Sequence, residues 1–224
     1  MAVITKEKFI YTPPLGELPV LYEDEYFIAV DKPAGLLSVP GRLPEHHDSA
    51  FLRLQHNFQA IKITHRLDMA TSGILLFAKH RDAEIAMSKI FQKRAVEKQY
   101  IALVQGKLST SGEVNAPLIT DWPNRPKQKI DLAEGKPAQT YYKPLEYNTI
   151  KGITRVQLTP ITGRSHQLRI HMMHIGHPIC GDQFYHPEPH LCEFKRMALH
   201  AHKLSFIHPF IEDQQLNIIS SVPF

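Results

Sequence analysis

The spacing of the strand-forming runs is what most limits the folds open to this chain. VLYE and YFIAVDK flank the acidic turn Glu23-Asp24-Glu25, and further runs occupy 61–64, 74–78, 99–106, 138–147, 153–159 and 199–209. A parallel return between two strands consumes a dozen or more residues, usually as a helix. Most gaps here are shorter, and they are rich in Pro, Gly and polar residues, as in VPGRLPEHHDS at 39–49. Helical signals are fewer. Residues 49–56 suit a short helix. Asp82 can cap a second, with Ala83, Ala86, Met87, Ile90 and Phe91 as one apolar stripe. Ser165 can cap a third that ends near Gly176, with Leu168, Met172 and Ile175 facing the core. Strands outnumber helices, which predicts an α+β fold: a mixed, largely antiparallel sheet with packed helices. Residues 1–18, with a Pro-Pro pair and little periodicity, read as an arm, and 19–224 as one domain.

Composition narrows the function classes. The chain of 224 residues carries a net charge of +4, which favours a polyanionic partner without requiring one. Its two cysteines, Cys180 and Cys192, form no disulfide framework and read as reduced thiols. No apolar run reaches membrane-spanning length and the N-terminus lacks a signal-peptide core, so a cytoplasmic protein is expected. Neither a G-x-x-x-x-G-K-[ST] loop, a G-x-G-x-x-G turn nor a G-x-S-x-G elbow occurs. The expected chemistry therefore uses ordinary side chains and no cofactor.

Several segments carry candidate chemistry. HRLDMATSG (65–73) sets Asp68 in a loop between strands, with Arg66 beside it. Taken alone, these turn-forming residues favour a structural Asx turn over a presented carboxylate. In GRSHQLRIH (163–171), Arg169 follows the core residue Leu168 by roughly 100° of helix, at the edge of the buried stripe. It reads there either as a snorkelling side chain or as one in need of a carboxylate. Tyr100, opening an apolar strand, suits core packing or stacking on a base. DWPNRPKQK (121–129) reads as an exposed basic loop holding the only Trp; Trp122, Arg125, Lys127 and Lys129 suit stacking and phosphate contact. Of fourteen histidines, His171, His174 and His177 have tempting spacing but cross a helix end with no matching acidic or thiol group, so no metal site is expected.

HRLDMATSGILLFAK resembles the HRLDxxTSGxxxxAK motif of RluA-type pseudouridine synthases. VDKPAGL (30–36), EKQYIALVQG (97–106), PITGRSHQLRIHM (160–172) and GHPICGDQFY (176–185) resemble that family's other motifs in the same order. SVPGR (38–42) and DWPNRPKQK (121–129), with KPAQTYY (136–142) behind it, resemble the short branch of that family, and with about 20 residues ahead of the catalytic segments no N-terminal S4 RNA-binding domain is expected. The resemblance implies a cofactor-free isomerase that converts uridine to pseudouridine in 23S ribosomal RNA and tRNA anticodon loops after flipping the base. It implies Asp68 as the catalytic residue, Tyr100 against the uracil and Arg169 paired with Asp68. It further implies Arg66 in the gap left by the flipped nucleotide, and Arg164 and His166 among the RNA contacts. A monomer is expected. The competing readings are an RNA-binding protein of the same fold without chemistry, which the intact Asp68 argues against, a metal-dependent hydrolase using the His-rich last third, and a purely structural basic protein, which leaves the ordered motifs unexplained.

Overall fold

The computed structural model describes residues 10–189 and 193–224. Among them the chain forms β1 (Val20–Glu23), β2 (Phe27–Lys32), α1 (Ala50–Gln55), β3 (Lys62–Ile63), β4 (Ser72–Ala78), α2 (Arg81–Gln92) and β5 (Glu97–Gln105). There follow β6 (Gly112–Asn115), β7 (Leu118–Thr120), β8 (Gln128–Ile130), β9 (Gln139–Asn148), β10 (Ile153–Pro160), α3 (Gln167–His174), β11 (Leu199–Ile207) and β12 (Gln215–Ile219). Cys192 and residues 1–9 of the expected arm lie outside the described residues.

One large sheet runs in the order β1-β2-β4-β11-β5-β10-β9-β6, with β12 paired to β11 and β3 to β4; β7 and β8 form a separate hairpin. Every pairing is antiparallel except β4 with β11, which meet in parallel at Ser72↔His200 and Gly73↔Ala201. The mixed, largely antiparallel α+β fold is therefore present. β4 explains why the centre holds. All seven of its residues are buried, and its side chains alternate between two cores. Ile74, Leu76 and Ala78 pack with Ala83 and Met87 of α2, whereas Leu75 and Phe77 pack with Ala50 and Leu54 of α1. A third core joins Leu168 and Met172 of α3 to Ala102, Val104, Val156 and Leu158.

Four local expectations change. α2 is capped by His80, whose ring nitrogen accepts from the Ala83 N–H, and Asp82 falls in the first turn, where it favours the helix dipole. α3 is not capped by Ser165. Its entry residue is His166, in the left-handed region at φ 56°, and Gln167 reaches back instead, its Oε1 accepting from Thr162 and the Arg164 N–H. α3 also has no narrow stripe: Gln167 through Met172 are buried on all sides. The 121–129 stretch is the tip and second strand of the β7–β8 hairpin rather than a free loop. β6, β7 and β12 were not expected, because their runs are too short to show a period against polar neighbours. Residues 10–18 lie against the domain: Tyr11 donates to the Asp48 carbonyl, and Arg53 donates to the carbonyls of Pro14 and Gly16.

Candidate active site

The Asp68 loop joins β3 to β4 and is fastened on both sides of Asp68. The Leu67 N–H donates to Ser38 Oγ at 3.0 Å, and Ser38 donates back to the Leu67 carbonyl at 2.7 Å. The Met69 carbonyl accepts from the Gly35 N–H and from Lys32 Nζ, at 2.8 and 3.2 Å. The turn itself closes through the main chain, with the Thr71 N–H donating to the Asp68 carbonyl at 3.1 Å. That answers the Asx-turn reading: the carboxylate is not used to make the turn. It remains 29% exposed.

Lys32 and Tyr100 flank this loop by virtue of strand register. Lys32↔Gly73, Gly73↔Ala201 and Ala201↔Tyr100 form one row across β2, β4, β11 and β5, so their side chains share a face. A Cβ on Gly73 would overlap the Ala201 backbone, and Gly73 has φ +108°; only glycine lets β4 and β11 approach here. Lys32 is 0% exposed. It donates to the carbonyls of Pro33, Leu36 and Met69, which uses all three ammonium hydrogens. Burial pulls its pKa down to about 7, against the opposing pull of the Asp68 charge. Tyr100 is held well above its ordinary value, first by burial and then by Asp68. It is therefore a neutral phenol at neutral pH.

Opposite the loop stands α3. Arg169 is 5% exposed, not at a snorkelling edge, and its guanidinium divides between two carboxylates. Nε and Nη2 grip Asp182 at 2.8 and 2.7 Å, while Nη1 donates to Asp68 Oδ2 at 3.2 Å. Its faces lie on the rings of Phe184 and Tyr185, at 5.1 and 5.0 Å from the centroids. Burial alone would pull the guanidinium down; Asp182 and Asp68 outweigh it and hold the pKa above its ordinary value. His166 Nε2 lies 3.8 Å from the same Asp68 Oδ2, and its Nδ1 meets Tyr185 Oη at 2.7 Å. Both contacts fall on Oδ2, and Oδ1 takes none among the described residues.

Of the residues expected at the site, Asp68, Arg169 and His166 are brought together directly, and Tyr100 joins them through the sheet row. Arg66 is exposed and held by no hydrogen bond or ion pair among the described residues. Trp122 is 65% exposed, with the Arg125 guanidinium over its ring at 4.7 Å. The Lys127 ammonium lies 6.0 Å from the Phe184 ring, which ties the hairpin to the site. Lys129 faces Asp131 at 3.8 Å, and the exposed Arg164 donates to the Pro137 carbonyl. Lys32, Asp182, Phe184 and Tyr185 were missed. The signal available for them was only their place in the VDKPAGL and GDQFY segments, since Lys32 meets Met69, Asp182 meets Arg169 and Tyr185 meets His166 and Gln128 only in the folded chain. His171 is spent on Thr140 and the Ala116 carbonyl, and His177 meets the Gln105 carbonyl. Among the described residues no group of three His, Cys, Asp or Glu could hold a metal ion, and no helix is long and apolar enough to cross a membrane.

The family model for RNA pseudouridylate synthase matches residues 26–174. That span contains Asp68, Tyr100 and Arg169; Asp182, Phe184 and Tyr185 lie beyond it. A dual-specificity RNA pseudouridine synthase RluA of Vibrio vulnificus is 48% identical over 204 residues, covering 89% of this chain and 82% of that protein. The RluA of Pasteurella multocida is 48% identical over 205 residues, covering 91% and 93%. The RluA of Escherichia coli K12 is 49% identical over 201 residues, covering 89% and 91%. Among solved structures, human RNA pseudouridylate synthase domain containing 1 superposes with a TM-score of 0.76 at 26% identity, covering 98% of this chain and 87% of that one.

Proposed function

The chain belongs to the RNA pseudouridylate synthase family, in its RluA-type branch, and on that premise we propose that it isomerises uridines of 23S ribosomal RNA and tRNA anticodon loops, with Asp68 as the catalytic residue. The family membership makes it an isomerase acting on RNA. The choice of those two RNAs follows the dual specificity of its relatives. The proposal includes action as a monomer in the cytoplasm.

One observation carries the assignment of Asp68. Its carboxylate, 29% exposed, is gripped at Oδ2 by a buried guanidinium, while Oδ1 takes no hydrogen bond or ion pair among the described residues. The guanidinium fixes one oxygen in place through a charge-assisted hydrogen bond and leaves the other for substrate. The isomerisation breaks the C1′–N1 bond, turns the base and makes a C1′–C5 bond; N1 gains a proton and C5 loses one. Attack at C1′, addition at C6 and removal of a sugar proton each require one ionised oxygen open to substrate, the role of Oδ1. No net oxidation occurs.

The uridine must leave its stack to reach Oδ1, which costs a few kcal/mol. Arg66, exposed and unfastened, is suited to fill the vacated space. Tyr100, on the sheet row beside the Asp68 loop, would be a neutral phenol wall for the flipped uracil. To accept the C5 proton it would first have to give up its own. Trp122, Arg125, Lys127, Lys129 and Arg164 supply stacking and phosphate contacts around the rim.

The test is tritium release from RNA labelled at uridine C5. Wild type and Asp68→Asn are compared on a tRNA anticodon stem-loop and a 23S rRNA fragment, with chelator present. The expected result is release by wild type on both RNAs, none by Asp68→Asn, and similar RNA affinity for both proteins, since phosphate contacts dominate binding. Turnover by Asp68→Asn sinks the assignment of Asp68. Failure of wild type on one RNA removes that RNA from the proposal.

A further inference from the structure

His166 sits between the proposed catalytic carboxylate and a residue with a second obligation. Tyr185 Oη meets His166 Nδ1 at 2.7 Å and accepts from the Gln128 main-chain N–H at 2.8 Å. Gln128 is the first residue of β8, directly after the basic tip of the hairpin. A phenol has one hydrogen to give. Donated to Nδ1, that hydrogen leaves the imidazole hydrogen on Nε2, facing Asp68 Oδ2, and this is the tautomer that the carboxylate favours. The opposite tautomer would aim a lone pair at a carboxylate. Charge and hydrogen bonding thus run one way, from the Gln128 N–H through Tyr185 and His166 to Asp68.

Three more features make this chain of contacts specific. His166 holds φ 56°, a conformation that a residue with a side chain adopts at a local cost. Asp182 Oδ1 accepts from the N–H groups of Phe184 and Tyr185, so the carboxylate that grips Arg169 also sets the two rings. Phe184 in turn lies 5.8 Å from the His166 ring and 6.0 Å from the Lys127 ammonium. The last link is the loose one. At 3.8 Å, Nε2 is short of a hydrogen bond to Oδ2. Such contacts often tighten only when substrate is bound. A shift below about 1 Å would close it.

We propose that His166 and Tyr185 are positioning residues that couple the basic β7–β8 hairpin to Asp68: RNA seated on the tip draws Gln128 and Tyr185 inward, and His166 then locks Oδ2. This rests on the reading of Asp68 as catalytic and of the hairpin as an RNA contact. RNA bound elsewhere leaves the link open and the carboxylate less well held.

The experiment is a double-mutant cycle between the tip and the relay, read as kcat and KM on the anticodon stem-loop. Arg125→Ala alone should raise KM and also lower kcat by roughly threefold. Tyr185→Phe, which keeps the ring, should lower kcat about tenfold with KM within about twofold. In the Tyr185→Phe background, Arg125→Ala should still raise KM but leave kcat unchanged. His166→Gln, which keeps an N–H near the Nε2 position, should retain several times the kcat of His166→Ala. Wild-type kcat in Tyr185→Phe, or an equal kcat effect of Arg125→Ala in both backgrounds, overturns the coupling. If Tyr185→Phe fails to fold, the same cycle with His166→Ala and Arg125→Ala decides, since it leaves Tyr185 in place. Asp68→Asn is run alongside. Turnover by that variant fells the underlying reading, whereas a dead Asp68→Asn with an additive cycle fells the coupling alone.

Discussion

Lys32 donates from its fully buried ammonium to the carbonyl of Met69, the residue that follows Asp68. The end of β2 is thereby tied to the loop that presents the carboxylate, across 37 positions of sequence. Removing the ammonium leaves the carbonyls of Pro33, Leu36 and Met69 without this donor. Charge-assisted bonds contribute about 1.5–3 kcal/mol each, partly offset by the cost of burying the charge. Lys32→Met is expected to lose a net ~1–3 kcal/mol at pH 7 and most of its turnover, read by urea unfolding and tritium release.

The same residue sets a pH dependence. Its pKa is about 7 in the folded chain against an ordinary 10.5. Between those values the unfolded chain binds more protons than the folded one, so stability rises with pH, by at most ~1.4 kcal/mol per unit. Below pH 7 both states carry the charge and the burial cost is fully present. Wild type should therefore gain on Lys32→Met from pH 7 to 9. Parallel urea midpoints for the two proteins across that range would refute the linkage.

Arg169 is held mainly by Asp182, not by Asp68. Arg169→Met strands Asp182, which is 1% exposed, and should cost about 3–5 kcal/mol. Asp182→Asn alone should cost less, because Arg169 keeps Asp68. The double variant should regain much of the stability of Arg169→Met while remaining inactive. Thermal melts and activity assays separate the two effects; recovered turnover in the double variant would remove Arg169 from catalysis.

The hairpin tip makes a prediction in salt. If Arg125 or Lys127 contacts phosphate, its replacement by alanine should weaken binding to all RNAs alike. It should also lower the slope of log affinity against log salt by about one. Unchanged slopes in filter binding over a salt series would take these residues out of the interface.

Gly73→Ala tests the narrow meeting of β4 and β11. The new methyl would overlap the Ala201 backbone, at a φ that non-glycine residues rarely adopt. A loss of at least ~2 kcal/mol is expected, seen as a lower melting temperature. A variant as stable as wild type would mean that the row from Lys32 to Tyr100 tolerates a wider gap.

Much of the fold is legible in local pattern. The alternation around Glu23-Asp24-Glu25, the helix at 49–56 and the long runs at 138–147 and 153–159 all match observed elements within a few residues. These are properties of neighbours in sequence, where a period of 2 or 3.6 sorts side chains without reference to the rest of the chain. β12 escaped because Leu216 and Ile218 offer only two inward residues, too few to make a period. The Asp68 loop was visible as turn chemistry. Its use was not, because the same residues make an Asx turn when the carboxylate bends back on its own backbone.

The sequence by itself determined most of the long extended and helical segments and marked out the motifs from which chemistry is expected. Each of these depends on residues a few positions apart. Only the tertiary structure decided that β4 and β11 run in parallel, that Lys32 and Tyr100 share a row, and that Arg169 belongs first to Asp182. It also decided that Arg169 reaches Asp68 from 101 positions away. A buried charge takes whichever partner the folded chain delivers within about 3 Å, and no local period encodes that delivery.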